Sequence, residues 1–203
     1  SWTFHSPSLR MATHAFVVLP EYPAQPQNTL ILLHGLSGAC DTWNRRTSIE
    51  RYAQKHNLAV IMPEVQRSWY TDMVYGLPYF TFITDELPRL AANTLRVPVD
   101  PAHLYVGGLS MGGYGALKCA LRAGDVFSRG ASLSGAADIR QLPPGGYWED
   151  VFGPREQIPG SFNDLFAAAK ALPPENRPPL YMWCGTEDSL LPGNHALRDH
   201  LLA

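Results

Sequence analysis

The chain has 203 residues, 45% of them hydrophobic and 17% charged, with a net charge of -2; this is the make-up of a globular protein with a sizeable core and not of a disordered one. No Lys/Arg run is present, which argues against nucleic acid as a partner, and no apolar run approaches the roughly 20 residues that span a bilayer. Cys40, Cys119 and Cys184 lack C-x-x-C spacing, so neither a zinc site nor a disulfide framework is expected, and reduced thiols in a cytoplasmic protein are.

The first residues, Ser1-Trp2-Thr3-Phe4-His5, carry no basic segment followed by an apolar core, so they do not read as a signal peptide. The chain shown lacks an initiator Met, which leaves an earlier, processed leader compatible with it. Phe16-Val17-Val18-Leu19 reads as a strand that stops at Pro20, and a turn containing Pro23 and Pro26 follows. Thr29 to Leu33 is short, continuous and apolar, as expected of a strand buried on both faces. It runs into the loop His34-Gly35-Leu36-Ser37-Gly38. The spacing of Ile49, Tyr52 and Ala53 predicts a helix over about 47–56, and Leu58 to Met62 reads as a second buried strand before Pro63.

Residues 63–77 form a long loop with Trp69, Tyr70 and Tyr75. Pro78 can open a helix, whose stripe is Tyr79, Ile83, Leu87, Leu90 and Thr94; Pro88 within it predicts a kink. His103 to Val106 reads as a strand, Tyr114, Ala116, Leu117, Ala120 and Leu121 as the face of the following helix, and Gly130 to Ser134 as another strand. Residues 138–179, rich in proline (Pro143 and Pro144 among them) and aromatics, read as a cap-like insertion with a short helix near 162–171. Leu180 to Cys184 is the last clear strand, and a helix begins near His195. Alternating strands and helices imply an α/β fold, a mostly parallel sheet with helices on both faces.

Between strand and helix stands Gly108-Leu109-Ser110-Met111-Gly112, the G-x-S-x-G spacing of a nucleophile elbow. A serine on a sharp, strained turn brings the backbone close to its neighbours, so glycine is needed on either side. A serine hydroxyl needs a base, usually histidine oriented by a carboxylate. Asp188 fits the carboxylate, in Gly185-Thr186-Glu187-Asp188 after the last strand; Glu187 is its direct rival, and a plain loop or capping carboxylate is the bland reading. The oxyanion needs backbone donors: the Met111 amide is one, and the Leu36 amide, in the loop after the early strand, is the second. His34 is a candidate base, but its place in that loop suits a bracing histidine better. Trp69, Tyr70, Tyr79, Tyr147 and Trp148 are candidates for a substrate pocket, with packing of the insertion onto the core as the rival role. No metal or cofactor is implied, because the histidines and carboxylates show no ligand spacing.

Leu33 to Gly38, Arg46 to Ala53, Ser68-Trp69-Tyr70-Thr71-Asp72, Gly108 to Leu117 and Cys184 to Asp188 together resemble the esterase D family, most of all its tributyrin-esterase-like branch, with S-formylglutathione hydrolases as relatives. The resemblance covers about residues 10–195. It implies an α/β-hydrolase fold and hydrolysis of short-chain acyl esters, as small-molecule substrates, through an acyl-enzyme. It also implies Ser110 as nucleophile, Asp188 in preference to Glu187 as acid, and Leu36 and Met111 as oxyanion donors, and it is compatible with a homo-oligomer.

The family places its histidine after one more helix and strand, which takes roughly 25 residues beyond the acid. Only 15 follow Asp188. His195 and His200 fall on the intervening helix, and His5, His14, His56 and His103 lie upstream with structural roles expected. The base, the final strand and the closing helix are therefore expected beyond Ala203, and their absence would leave apolar surface uncovered. Two alternatives stay open: an S-formylglutathione hydrolase-type thioesterase, and a hydrolase-fold binding protein without catalysis, should the natural chain end at Ala203.

Overall fold

In the computed structural model, residues 1–21, 24–141 and 146–203 are described; Pro23, Pro143 and Pro144, placed by sequence in a turn and in the insertion, lie outside them. The strands are β1 (Trp2–Ser6), β2 (Met11–Val18), β3 (Asn28–Leu33), β4 (Leu58–Pro63), β5 (Leu104–Leu109), β6 (Arg129–Leu133) and β7 (Leu180–Trp183). They form one sheet in the order β1-β2-β4-β3-β5-β6-β7. β1 and β2 make an antiparallel hairpin that pairs antiparallel with β4, and β4, β3, β5, β6 and β7 are parallel. Order within the parallel part puts the carboxyl ends of β3, β5, β6 and β7 along one edge, where such sheets carry their chemistry.

The helices are α1 (Thr42–Arg46), α2 (Ile49–Lys55), α3 (Tyr79–Thr81), α4 (Leu87–Leu95), α5 (Met111–Arg122), α6 (Trp148–Phe152), α7 (Leu165–Ala171) and α8 (Leu191–Leu202). α2 buries Ile49 and Ala53 on one face of the sheet against Leu32, Val60 and Met62. The larger core lies on the other face, where α4 and α5 cover Ile31, Leu33, Ile61 and Val106. α5 is buried over nearly its whole length, from Met111 to Leu121. α7 packs on α5 and α8 packs on α7.

Three differences from the sequence reading have physical causes. The strand expected at 16–19 ends at Val18 and is the tail of an eight-residue strand paired with β1, which was not foreseen. Its first half alternates exposed and buried residues, so its apolar content is too thin to stand out. A short helix, α1, precedes the one expected near 47–56. The kink expected at Pro88 takes the form of a π-helical turn, Phe82–Glu86, directly before α4. Proline has no N–H to donate, and its ring crowds the preceding turn, which widens to accommodate it. The extra residue rotates the buried stripe. It passes from Tyr79, Ile83 and Leu87 to Ala91, while Leu90 is only half-buried and Thr94 is exposed.

On the face that α2 covers at one end, the half of the sheet made by β5, β6 and β7 is open among the described residues. Leu30, Tyr105, Ala131 and Tyr181 line a shallow groove of about 360 Å³ there. Tyr181 and Trp183 on β7 are 59% and 54% exposed, and Leu109 on β5 is 39% exposed. No described helix is long and apolar enough to cross a membrane.

Candidate active site

Ser110 sits at φ 57°, ψ -115° between β5 and α5, a left-handed conformation that costs an ordinary residue on the order of 1–3 kcal/mol. The surrounding structure holds it there. Its amide donates to the Leu133 carbonyl at 3.0 Å, and its own carbonyl accepts from Tyr114 at 3.0 Å and Ala136 at 3.2 Å. The flanking glycines are required by close approach. A Cβ on Gly108 would lie 2.3 Å from the Gly112 carbonyl oxygen, and one on Gly112 would lie 2.4 Å from the Leu33 carbonyl oxygen. The first contact closes the elbow; the second seats the start of α5 against the end of β3. The strain thus presents a half-exposed Ser110 side chain above the sheet edge.

The loop after β3 comes to the same place. A Cβ on Gly35 would be 3.6 Å from Ser110 Cβ, so the loop backbone passes beside Ser110. Gly38 donates to the Gly35 carbonyl at 2.9 Å, closing a turn with Leu36 and Ser37 at its tip. Met111 is the first residue of α5, where the amides have no intrahelical acceptor. Among the described residues neither the Leu36 nor the Met111 amide has a protein acceptor. Sequence and structure therefore bring Ser110, Leu36 and Met111 together.

His34 is 1% exposed and braces this loop. Its Nδ1 is 2.8 Å from the Gly35 carbonyl, and its Nε2 faces Glu64 at 3.5 Å and the Val65 amide at 3.4 Å. Burial works against the Glu64 charge. Contact with His34 and the amides of Gln66 and Cys40 outweigh it and hold the carboxyl at about 2. From the other side, the Tyr70 hydroxyl donates to the His34 carbonyl at 2.8 Å, and the Trp43 Nε1 donates to the Leu33 carbonyl at 3.0 Å.

Asp188 follows β7 and is half-buried, whereas Glu187 is exposed. The Asp188 Oδ1 accepts from the Leu190 amide at 2.9 Å. That bond first, then the Ser134 and Cys184 side chains, keeps its carboxyl below the usual range, so it is an anion at neutral pH. Ser134, held at φ 44° after β6, donates its amide to the Trp183 carbonyl. Asn194 on α8 donates to the Gly135 carbonyl at 2.8 Å. β6 lies between β5 and β7, so the strand ends bearing Ser110 and Asp188 are about 10 Å apart. Among the described residues no hydrogen bond joins a histidine to Ser110 or Asp188. His34, His103 and His200 are engaged with Gly35, Asp100 and Phe166 respectively.

The aromatics named from sequence lie inside the core. Trp69, Tyr70, Tyr79 and Trp148 are 4%, 0%, 3% and 4% exposed. Trp69 stacks edge-on against Trp148 at 5.1 Å and Tyr114 at 5.8 Å, and its Nε1 donates to the Tyr147 hydroxyl at 3.1 Å. The Tyr70 ring lies where a Gly115 side chain would be, 2.4 Å from its ideal Cβ position. These rings pack the 146–179 stretch and the 63–77 loop onto α5, the rival role weighed beside pocket lining.

A second polar cluster lies further along α5, and sequence reasoning missed it. Lys118 on α5 is fully buried. Its Nζ donates to Thr71 Oγ1 at 2.6 Å and Asn163 Oδ1 at 2.9 Å, and the Tyr114 hydroxyl donates to the Asn163 carbonyl at 2.8 Å. Burial drives the Lys118 ammonium down to about 7. The signal available was a lysine at helical spacing between Tyr114 and Leu121 on a stripe otherwise apolar.

The chain is similar to known proteins. A curated acetyl esterase of Caldicellulosiruptor saccharolyticus is 29% identical over 98% of this chain and 84% of its own length. An S-formylglutathione hydrolase of Bos taurus is 31% identical over 46% of this chain and 40% of its own. Among solved structures, the Staphylococcus aureus fluorophosphonate-binding serine hydrolase FphF superposes with a TM-score of 0.90 at 34% identity, over 98% of this chain and 84% of that one. The S. aureus S-formylglutathione hydrolase FrmB superposes with a TM-score of 0.86 at 34% identity and the same coverage. Residues 6–198 match the esterase family described as "Putative esterase", and the chain belongs to that family.

Proposed function

We propose that the chain is a serine carboxylesterase acting on small-molecule, short-chain acyl esters through an acyl-enzyme. The observation that carries this is Ser110, strained at the elbow, with the loop of Leu36 beside it and the Met111 amide at the start of a helix. In this reading the Ser110 Oγ attacks the ester carbonyl as an imidazole takes its proton. The Leu36 and Met111 amides receive the oxyanion, and the alcohol leaves with the proton from the imidazole. Water then repeats the sequence and frees the acid. Asp188 orients the imidazole and stabilises its charged form across the gap over β6. The acetyl esterase relative supports a short acyl group. Free Cys40, Cys119 and Cys184 suit a cytoplasmic setting.

Turnover of p-nitrophenyl acetate and p-nitrophenyl butyrate, compared between the parent protein and Ser110→Ala, tests the reading. A fall of several orders of magnitude in the variant is expected; undiminished turnover would remove Ser110 as nucleophile.

A second reading, an S-formylglutathione hydrolase-type thioesterase, is favoured by the similarity to the bovine and FrmB proteins. It uses the same residues. Thioester turnover far above ester turnover would place it first.

A further inference from the structure

Three donors of different chemistry, far apart in sequence, meet behind the oxyanion loop. His14 on β2, Cys40 at the end of the loop after β3 and Glu64 after β4 each bring a ligand atom within 4.8 Å of the other two. No linear motif reveals them, because positions 14, 40 and 64 follow no ligand spacing. The backbone makes the meeting. β2 and β4 pair antiparallel with Phe16 opposite Met62, and the Glu64 amide donates to the His14 carbonyl at 3.0 Å. His14 and Glu64 therefore continue one cross-strand row. The Cys40 amide donates to Glu64 Oε2 at 3.0 Å, and the Gln66 amide donates to Oε1 at 2.8 Å.

We infer that His14, Cys40 and Glu64 form a binding site for a thiophilic divalent cation, zinc or cadmium, with water as the fourth ligand. A thiolate, an imidazole and a carboxylate make a donor set that suits zinc and its heavier congener and rejects magnesium and calcium, which take oxygen ligands. In a tetrahedral site with zinc bonds of 2.0–2.3 Å, neighbouring ligand atoms are about 3.3–3.8 Å apart. The donors, within 4.8 Å of one another, thus need to close by about 1.5 Å at most. Cys40 is buried and Glu64 is held by backbone amides, so the exposed His14 side chain makes the closing movement and its open side is the entry path. The thiol proton passes to solvent on binding, and no electron transfer is involved.

The location gives the site a consequence. Glu64 also faces His34, and Cys40 ends the loop that begins at His34. A bound cation ties β2, β4 and that loop at one point, so it stabilises the fold and bears on the position of the Leu36 amide without entering the chemistry at Ser110.

Titration with cadmium alone tests this, read as the thiolate-to-metal charge-transfer absorbance. One equivalent is expected to saturate the band, zinc to displace it, and excess magnesium to leave it intact. Cys40→Ser abolishes the band. His14→Ala, a change at an exposed position that spares the fold, weakens binding at least 10-fold. Cys184→Ser leaves the band unchanged. A band that survives in Cys40→Ser, or binding unaltered in His14→Ala, overturns the inference, as does the absence of binding at millimolar cadmium. Should Cys40→Ser fail to fold, His14→Ala and Cys184→Ser alone decide.

Discussion

The Tyr70 hydroxyl lies 2.8 Å from the carbonyl oxygen of His34, inside the core and directly beneath the loop that carries Leu36. The bond fixes the loop from below while Glu64 fixes it from behind. Tyr70→Phe leaves that buried carbonyl without its donor, which costs on the order of 1–3 kcal/mol. A lower denaturation midpoint is expected. In the proposed mechanism the loop positions an oxyanion donor, so kcat should fall by about 10-fold with little change in KM, a split seen when an interaction specific to the transition state is loosened. Steady-state kinetics with p-nitrophenyl acetate beside urea unfolding checks both; loss of stability with kcat intact would show that the bond serves the fold alone.

Asp188 and Glu187 are adjacent, yet their surroundings differ. Asp188 is half-buried, with the Leu190 amide on its carboxylate, and Glu187 faces solvent. Asp188→Asn should lower kcat by at least about 100-fold, since an amide no longer fixes the tautomer or balances the charge of the base. Glu187→Gln should leave kcat within about 2-fold, as a change at an exposed site away from the chemistry does. Parallel kinetics on the two variants separates them, and equal losses would reopen the choice of acid.

Lys118 makes stability depend on pH in a defined direction. Burial holds its folded pKa near 7, against 10.5 for the free side chain. Between those values the unfolded chain keeps a proton that the folded chain has released. Raising the pH therefore favours folding, and the penalty is fully present only below about 7. Cys119 opposes this, its thiol being driven up by burial from 9.0 to about 12, but only above pH 9. From pH 7 to 9 the Lys118 contribution rises by about 2 kcal/mol. Urea unfolding at pH 7, 8 and 9 should show the rise in the parent protein and a flat profile in Lys118→Met. A parallel rise in both would assign it to another group.

Much of this molecule is legible in its sequence, and the reasons are local. The buried parallel strands from Thr29 to Leu33 and from Leu58 to Met62 are continuous apolar runs between turn signals, and the elbow is written in glycines that a short turn demands. Asp188 is visible as the carboxylate after a strand. The hairpin of β1 and β2 is less visible, because one of its faces meets solvent and its pattern is diluted. The π turn before Pro88 is a response to a ring in a helix, which sequence marks as a kink without giving its form. The brace from Glu64 to His34, the bond from Tyr70 and the contacts of Lys118 join residues 30 to 50 positions apart. Side chains at such separations meet only once the sheet order is set, so no spacing rule reaches them.

At Gly112 a hydrogen atom stands where a methyl group would press on the carbonyl oxygens of Leu33 and His34. The absence of that methyl removes the clearance between the elbow helix and the strand that launches the loop of Leu36. In mechanical terms the elbow of Ser110 and the loop of Leu36 share one anvil. For an engineer reshaping the loop, Gly38 is itself crowded by Thr42, Gly35 and His34, and the two residues that rest on Gly112 are the datum from which every other position is measured.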